Sequence, residues 1–396
     1  MSTRSRLAFL KTETGAGLLL GLVALLALVW ANSPWAGGYA RLIGRDIVVQ
    51  FGPFSETMTF AGWVKTALMP VFFFVAGLQI KEEMVRGELA NPRRLALPLM
   101  AAAGGILVPA LIYLAVNIGE GGVAQGWPAT APTDIAVALA VLTVAGPRLP
   151  SSLRVLLLTV TLVHLLAAIA LGAVLFTGDL RPGMLAGAVA TLALLVGMSR
   201  WRTCPYVFWT LGFILLWGFT LKAGIDTAAA GLAAALCVPL RAKRPGGPGV
   251  LDELIEALHP YVAFFVLPLF VLTAAGVTLA DLRAEVATAP VALGIALALV
   301  LGKQIGVFGA LALAIGLKLD RRPTGAHWLE LYGVAVLCGI GFTMSLYLGE
   351  RAFPATDDLA QAKVRVGVLA GSVASALLGW AVLAWSNARR SADPRA

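Results

Sequence analysis

Apolar runs of about bilayer-crossing length recur along almost the whole chain, and no other feature limits its fold so severely. A helix needs roughly 17–25 apolar residues to cross the hydrocarbon core. Candidate runs lie at 15–31, 60–80, 95–117, 128–145, 155–177, 184–198, 207–221, 223–240, 258–279, 289–317, 328–348 and 366–385, twelve in all. Backbone polar groups in lipid must pair internally, so the expected class is an all-α polytopic membrane protein. Composition agrees, since 59% hydrophobic against 13% charged residues cannot cover a soluble chain of 396 residues. The 43 glycines suit close helix approach. The first run has the look of a secretory signal, but Glu13 before it and eleven runs after it favour an uncleaved helix.

Charge and cysteine narrow the partners. Cys204, Cys237 and Cys338 all sit in or beside apolar runs, which suggests neither a disulfide nor a metal site. The net charge of +9 falls in short loops, so it speaks for membrane orientation and against nucleic acid. About 20 of the 30 Lys and Arg lie at the N-terminus or in connections after even-numbered runs. The positive-inside rule then places both termini in the cytoplasm, which needs an even number of spans. The whole chain, 1–396, reads as one integral membrane domain with no added cofactor expected. Its one long outer connection contains DIVVQFGPFSETMTF (46–60), a plausible β-hairpin around Gly52-Pro53 or else a surface loop. A lone hairpin is marginal in water, so it would pair with something, such as a second copy of the chain.

Buried charges point to function, because each costs roughly 2.5–3.5 kcal/mol at a helix centre. Asp134 stands at the head of the fourth run, His164 in the fifth and Lys303 in the tenth. The fourth run also holds Pro128, Thr130, Pro132 and Thr133, and the eleventh holds Cys338-Gly339-Ile340-Gly341-Phe342-Thr343. Such residues interrupt helices, and unwound backbone survives in a membrane only where protein or water lines it. One reading is a kinked packing helix in each place. The other is a secondary transporter, whose site lies between two interrupted helices in the two halves of the chain. Asp134 would then offset facing helix N-termini and Lys303 facing C-termini.

Six stretches carry a resemblance to a known family: MPVFFFVAGLQIKEE (69–83), GGILVPALIYLAVN (104–117), GW…PTDIAVAL (126–139), LHPYVAFFVLPLF (258–270), LGKQIGVF (301–308) and VLCGIGFTMSLYL (336–348). With these in order the chain resembles the NhaA family of sodium/proton antiporters over nearly its whole length. The resemblance implies twelve helices with inverted repeats, broken and crossing fourth and eleventh helices, and a β-hairpin dimer contact. It implies exchange of sodium or lithium for protons across the bacterial inner membrane, control of internal pH and sodium, and no enzyme activity. It assigns ion and proton translocation to Thr133, Asp134 and Lys303. Pro132, Gly339 and Gly341 match the broken-helix backbone. Glu82 and Glu83, beside Lys81, and Glu256 and His259 fall in the mouth that the family uses to sense pH. Gln79 and Glu82 depart from the usual pattern there, Asp226 stands where a histidine is common, and Ala274 replaces an asparagine.

The largest departure is in the fifth run. The family carries two adjacent aspartates, which bind the cation and exchange it for protons. Here His164 and Leu165 take their places, and no acidic residue occurs between Asp134 and Asp179. Sodium and lithium are hard cations that prefer oxygen ligands. Imidazole is a poor substitute and leucine is none. His164 is either a proton relay or a packed, hydrogen-bonded histidine. Three alternatives follow: an antiporter of altered strength or selectivity, a repurposed homologue without sodium transport, or a proton-coupled carrier of another substrate. A membrane enzyme finds no support, since neither G-x-S-x-G nor H-E-x-x-H occurs.

Overall fold

A computed structural model describes residues 13–51, 54–90, 95–200, 204–240, 249–278, 284–354 and 356–392. The helices are α1 (Glu13–Ala31), α2 (Ala36–Ile43), α3 (Phe60–Arg86), α4 (Ala96–Val116), α5 (Ile135–Ala145), α6 (Ser151–Leu175), α7 (Pro182–Met198), α8 (Tyr206–Ala223), α9 (Thr227–Cys237), α10 (Val250–Ala274), α11 (Pro290–Gly316), α12 (Trp328–Leu337), α13 (Phe342–Ala352) and α14 (Asp358–Ala392). Strands β1 (Asp46–Phe51) and β2 (Phe54–Thr59) pair antiparallel, from Asp46 opposite Thr59 to Phe51 opposite Phe54. The expected hairpin is therefore present, and its Gly52-Pro53 turn lies outside the described residues.

Among the described residues eight helices are long and apolar enough to cross a membrane. Two bent pairs raise the number to ten. The 3-10 helix Ala124–Thr130 meets α5 at 46°, and α12 meets α13 at 42°. These are the fourth and eleventh runs, broken where proline and glycine predicted. The shorter apolar helices α7 and α9 occupy the sixth and eighth runs. Local chemistry sets many of the ends. Pro182 and Pro290 open α7 and α11, where the missing N–H costs nothing. Gly224 closes α8 at φ +83°, a conformation open to glycine. Asp226 is fully buried and caps α9 through Ala228 N at 2.8 Å.

The chain forms two compact units. The first comprises 1–33, 91–168 and 274–396, the second 34–90 and 169–273. In the first unit α4 packs on α11 so closely that a methyl at Gly104 or Gly306 would strike the backbone of the other glycine. This backbone-on-backbone approach fixes the depth of α11. Along α11, π-helical segments at Ala298–Gly302 and Gln304–Phe308 flank Lys303 on both sides. Single π-turns often mark functional positions in helices.

In the second unit α3 packs on α9, and Leu78, Leu195, Trp209, Ala234 and Leu251 contribute to its core. The hairpin is tied down in this unit. Lys222 pairs with Glu56 at 2.5 Å and bonds the Ser55 carbonyl, while the Trp63 indole donates to the Ile47 carbonyl. Val48 and Val49 remain exposed on β1.

Candidate functional site

The two breaks meet inside the first unit, and Asp134 is the residue that joins them. It caps α5, accepting from Val137 N at 3.1 Å through one carboxylate oxygen. The other oxygen accepts from Thr343 N at 3.1 Å and from the Thr343 hydroxyl at 2.5 Å. Thr343 lies in the first turn of α13, whose leading N–H groups have no partner within their own helix. One carboxylate thus serves two helix N-termini, where partial positive charge makes an anion welcome. The backbone closes the same joint, with Asp134 N donating to the Ile340 carbonyl at 2.6 Å. Pro132, just before it, has no N–H to leave unpaired in the unwound stretch.

Donors take up the opposite ends. Lys303 Nζ donates at 2.5 Å to the carbonyl of Ala131, which closes the 3-10 helix. The Thr133 hydroxyl donates at 2.6 Å to the carbonyl of Cys338, the C-cap of α12. Lys303 therefore offsets one of the two C-terminal ends and Thr133 the other. Asp134, Thr133, Lys303 and Thr343 are all buried.

His164 belongs to the same cluster. Its Nδ1 lies 3.0 Å from Thr133 Oγ and its Nε2 3.1 Å from the carbonyl of Ala102. Lys303 is near enough to interact with the ring electrostatically. The ring fits because residue 105 is glycine. A methyl there would sit 2.6 Å from Nε2 and 2.7 Å from a Val307 methyl. Thr133 has a single hydroxyl proton for two neighbours. If that proton goes to Cys338, Nδ1 must donate to Thr133 while Nε2 donates to Ala102, so both ring nitrogens carry hydrogen. If it goes to Nδ1 instead, the ring is neutral and the Cys338 carbonyl loses its partner. Turning the one hydroxyl interchanges the two arrangements. Leu165 is buried beside it and offers no ligand.

The sequence points to Thr133, Asp134, His164 and Lys303 and places Thr343 in the interrupted eleventh run without a role, whereas Gly105 and the Ala102 carbonyl carry no sequence signal of their own. Thr343 stood in the quoted VLCGIGFTMSLYL stretch, so an unwound backbone followed by a hydroxyl was an available signal. Gly339 and Gly341 flank Ile340, whose carbonyl receives Asp134 N.

The four residues that the resemblance assigns to a pH-sensing mouth fall in the second unit. Glu82 and Glu83 are half-buried near the end of α3, Glu256 is exposed on α10 and His259 is half-buried. The two helices are in contact, and a cross-link between them is Arg86 to Asp252 at 3.0 Å. Lys81 Nζ caps α9 by donating at 2.6 Å to the carbonyls of both Leu236 and Val238. Tyr206 donates to Glu253 close by.

A family profile described as Na+/H+ antiporter 1 matches residues 7–383. Among individual relatives, a Na(+)/H(+) antiporter NhaA of Nitrobacter hamburgensis is 45% identical over 377 residues, covering 95% of this chain and 90% of its own. A protein of the same name from Rhodospirillum rubrum is 43% identical, with 98% of each chain covered. Another, from Bordetella parapertussis, is 44% identical with 95% of each covered. With apolar helices throughout, two broken pairs and this coverage, the chain is a multi-pass membrane protein that belongs to the Na+/H+ antiporter 1 family.

Proposed function

We propose that this protein exchanges sodium or lithium for protons across the bacterial inner membrane by alternating access, through an ion site reduced to one carboxylate. The observation that carries the reading is Asp134, buried between two helix N-termini with the Thr343 hydroxyl on its carboxylate. A carboxylate in that place can hold a hard cation or a proton, and competition between them is the basis of exchange. Asp134 and the Thr133 and Thr343 oxygens bind the cation, and Lys303 holds the broken helix open at Ala131. With His164 inert, each cycle trades one proton for one cation and moves no net charge. With His164 active, one extra positive charge crosses per cycle.

Finer elements belong to the same proposal. Both termini face the cytoplasm, the activity adjusts internal pH and sodium, and the Glu82, Glu83, Glu256 and His259 mouth senses pH. Two copies associate through the hairpin at 46–60. Support for the last comes from β1 and β2 forming an isolated two-stranded sheet with exposed Val48 and Val49.

One observation favours a second reading. Leu165 supplies no oxygen and His164 only nitrogen where the family has two aspartates, so a scaffold retained without sodium transport also fits. Reconstitution in liposomes with an imposed pH gradient separates the two, with internal pH followed as sodium or lithium is added. The native chain should respond weakly, and His164→Asp combined with Leu165→Asp should strengthen the response severalfold. Silence in both native and double variant sinks the antiport reading and leaves the repurposed scaffold. A strong native response untouched by Asp134→Asn overturns the one-carboxylate site.

A further inference from the structure

The eleventh span is broken, but the helix behind it is not. α14 runs unbroken over Asp358–Ala392 and packs against both halves, α12 and α13, and against α5 of the other broken span. The contacts form a continuous antiparallel series. Near the chain end, Glu330 meets Arg390. One turn further along, Leu383 covers Gly333, and beyond that Leu337 covers Gly379. At the break itself, Ser375 faces Gly339 and the Ser372 hydroxyl accepts from Phe342 N at 3.1 Å. Ser375 Oγ is buried with no hydrogen-bond partner among the described residues.

The series begins at a strong anchor. Glu330 is a fully buried carboxylate that receives four donors: Arg390 Nε at 2.5 Å, Arg390 Nη2 at 2.9 Å, Ser386 Oγ at 3.1 Å and His327 N at 2.8 Å. Arg390 also bonds the carbonyl of Gly325 at 2.5 Å. In the same turn, Asn387 Oδ1 accepts from Arg148 N at 3.0 Å, which secures the loop leaving α5. The loop before α12 is further pinned by Ser152 Oγ on the Thr324 carbonyl at 2.8 Å. A single turn of α14 therefore holds the far ends of both broken spans.

We propose that α14 is a rail that sets the register of the two broken spans, with Glu330, Arg390 and Asn387 as its clasp and positioning residues for Asp134. Glu330 is eight residues from Cys338, about 12 Å along a helix. A rigid, continuously packed helix is a physical carrier of displacement over that distance. A half-helix that slipped against α14 would draw the Ile340 carbonyl and Thr343 away from Asp134. Unpaired, the Glu330 charge would be a buried carboxylate without its counterion, which is the strongest drive to leave the clasp.

The proposal rests on the site described under Proposed function, and amide hydrogen exchange tests it without requiring transport. In Arg390→Gln, exchange should quicken at least about fivefold not only at 325–332 and 384–392 but also at the crossing, 338–345. Arg390→Lys, which keeps the charge, should restore most of the protection at the crossing. Asn387→Ala, a milder cut, should quicken exchange at 135–139 while leaving 325–332 as in the native chain. Exchange confined to the clasp in Arg390→Gln would overturn the rail, as would Arg390→Lys behaving like Arg390→Gln. Should Arg390→Gln not fold, the same decision falls to Asn387→Ala, where native protection at 135–139 overturns the proposal. Because no ion flux is read, the rail can fail while antiport stands, and antiport can fail while the rail stands.

Discussion

In the break at 131–134 the working groups are largely side chains, the Thr133 hydroxyl and the Asp134 carboxylate. The break at 338–341 offers mainly backbone: the carbonyls of Cys338 and Ile340, and beyond them Thr343 N with the one hydroxyl of Thr343. Each break is incomplete alone. The first has charge but no second helix to place it on, and the second has exposed helix ends but no charge to offset them. Their difference shows that the crossing does not depend on the side chains of His164 and Leu165 in α6. The crossing is held by Asp134, Thr133, Thr343, Lys303 and backbone groups, none of which comes from α6. What α6 adds is the ring of His164, and that contact passes through Thr133 and Ala102.

The comparison can be broken most severely at its charged partner. Asp134→Asn removes the charge and one of the two oxygens that accept from Val137 N and Thr343 N, so any sodium-driven proton movement in liposomes should fall to background. Next in size, His164→Asp with Leu165→Asp adds carboxylates to α6 without touching either break. A severalfold gain in sodium response there, together with an unchanged crossing by hydrogen exchange, would show that the breaks and the ion ligands are separable. Thr343→Val strips the one side-chain contribution of the second break. A hydrogen bond to a charged group is worth about 1.5–3 kcal/mol, so thermal unfolding should shift downward and the sodium response weaken. If both stay native, the backbone N–H of residue 343 suffices.

Smaller effects sharpen the role of the ring. Gly105→Ala should push His164 from its place, since the new methyl has 2.6 Å to Nε2. The expected signature is a change in proton coupling that disappears when Gly105→Ala is made in a His164→Ala background. Additive effects of the two would mean that residue 105 acts by packing alone. Smallest of all is the exposed Arg86–Asp252 pair of the second unit, whose side chains are 46% and 33% exposed. Asp252→Asn should change stability by no more than ~1 kcal/mol, and less in high salt.

Much of this site could be read before any coordinates. Proline, glycine and threonine in two apolar runs announced the breaks, and charges without company in such runs announced Asp134, His164 and Lys303. Lys303, expected to face both C-terminal ends, reaches only the Ala131 end, and Thr133 takes the Cys338 end. Glu82, Glu83, Glu256 and His259 lie on α3 and α10, and a cross-link between these two helices is Arg86 to Asp252, because which charges meet across two helices depends on their rotation.

What the sequence determined alone is whatever hydropathy and backbone chemistry decide locally: membrane class, the positions of the spans, where two of them must unwind, and the hairpin. These depend on residues within one helix length of each other. The tertiary structure alone decided the partners. Asp134 and Thr343 are 209 residues apart in the chain, and Glu330 and Arg390 are 60. No local preference encodes such pairs. They exist because a buried charge left unsatisfied is costly, and packing brings to each the neighbours that satisfy it.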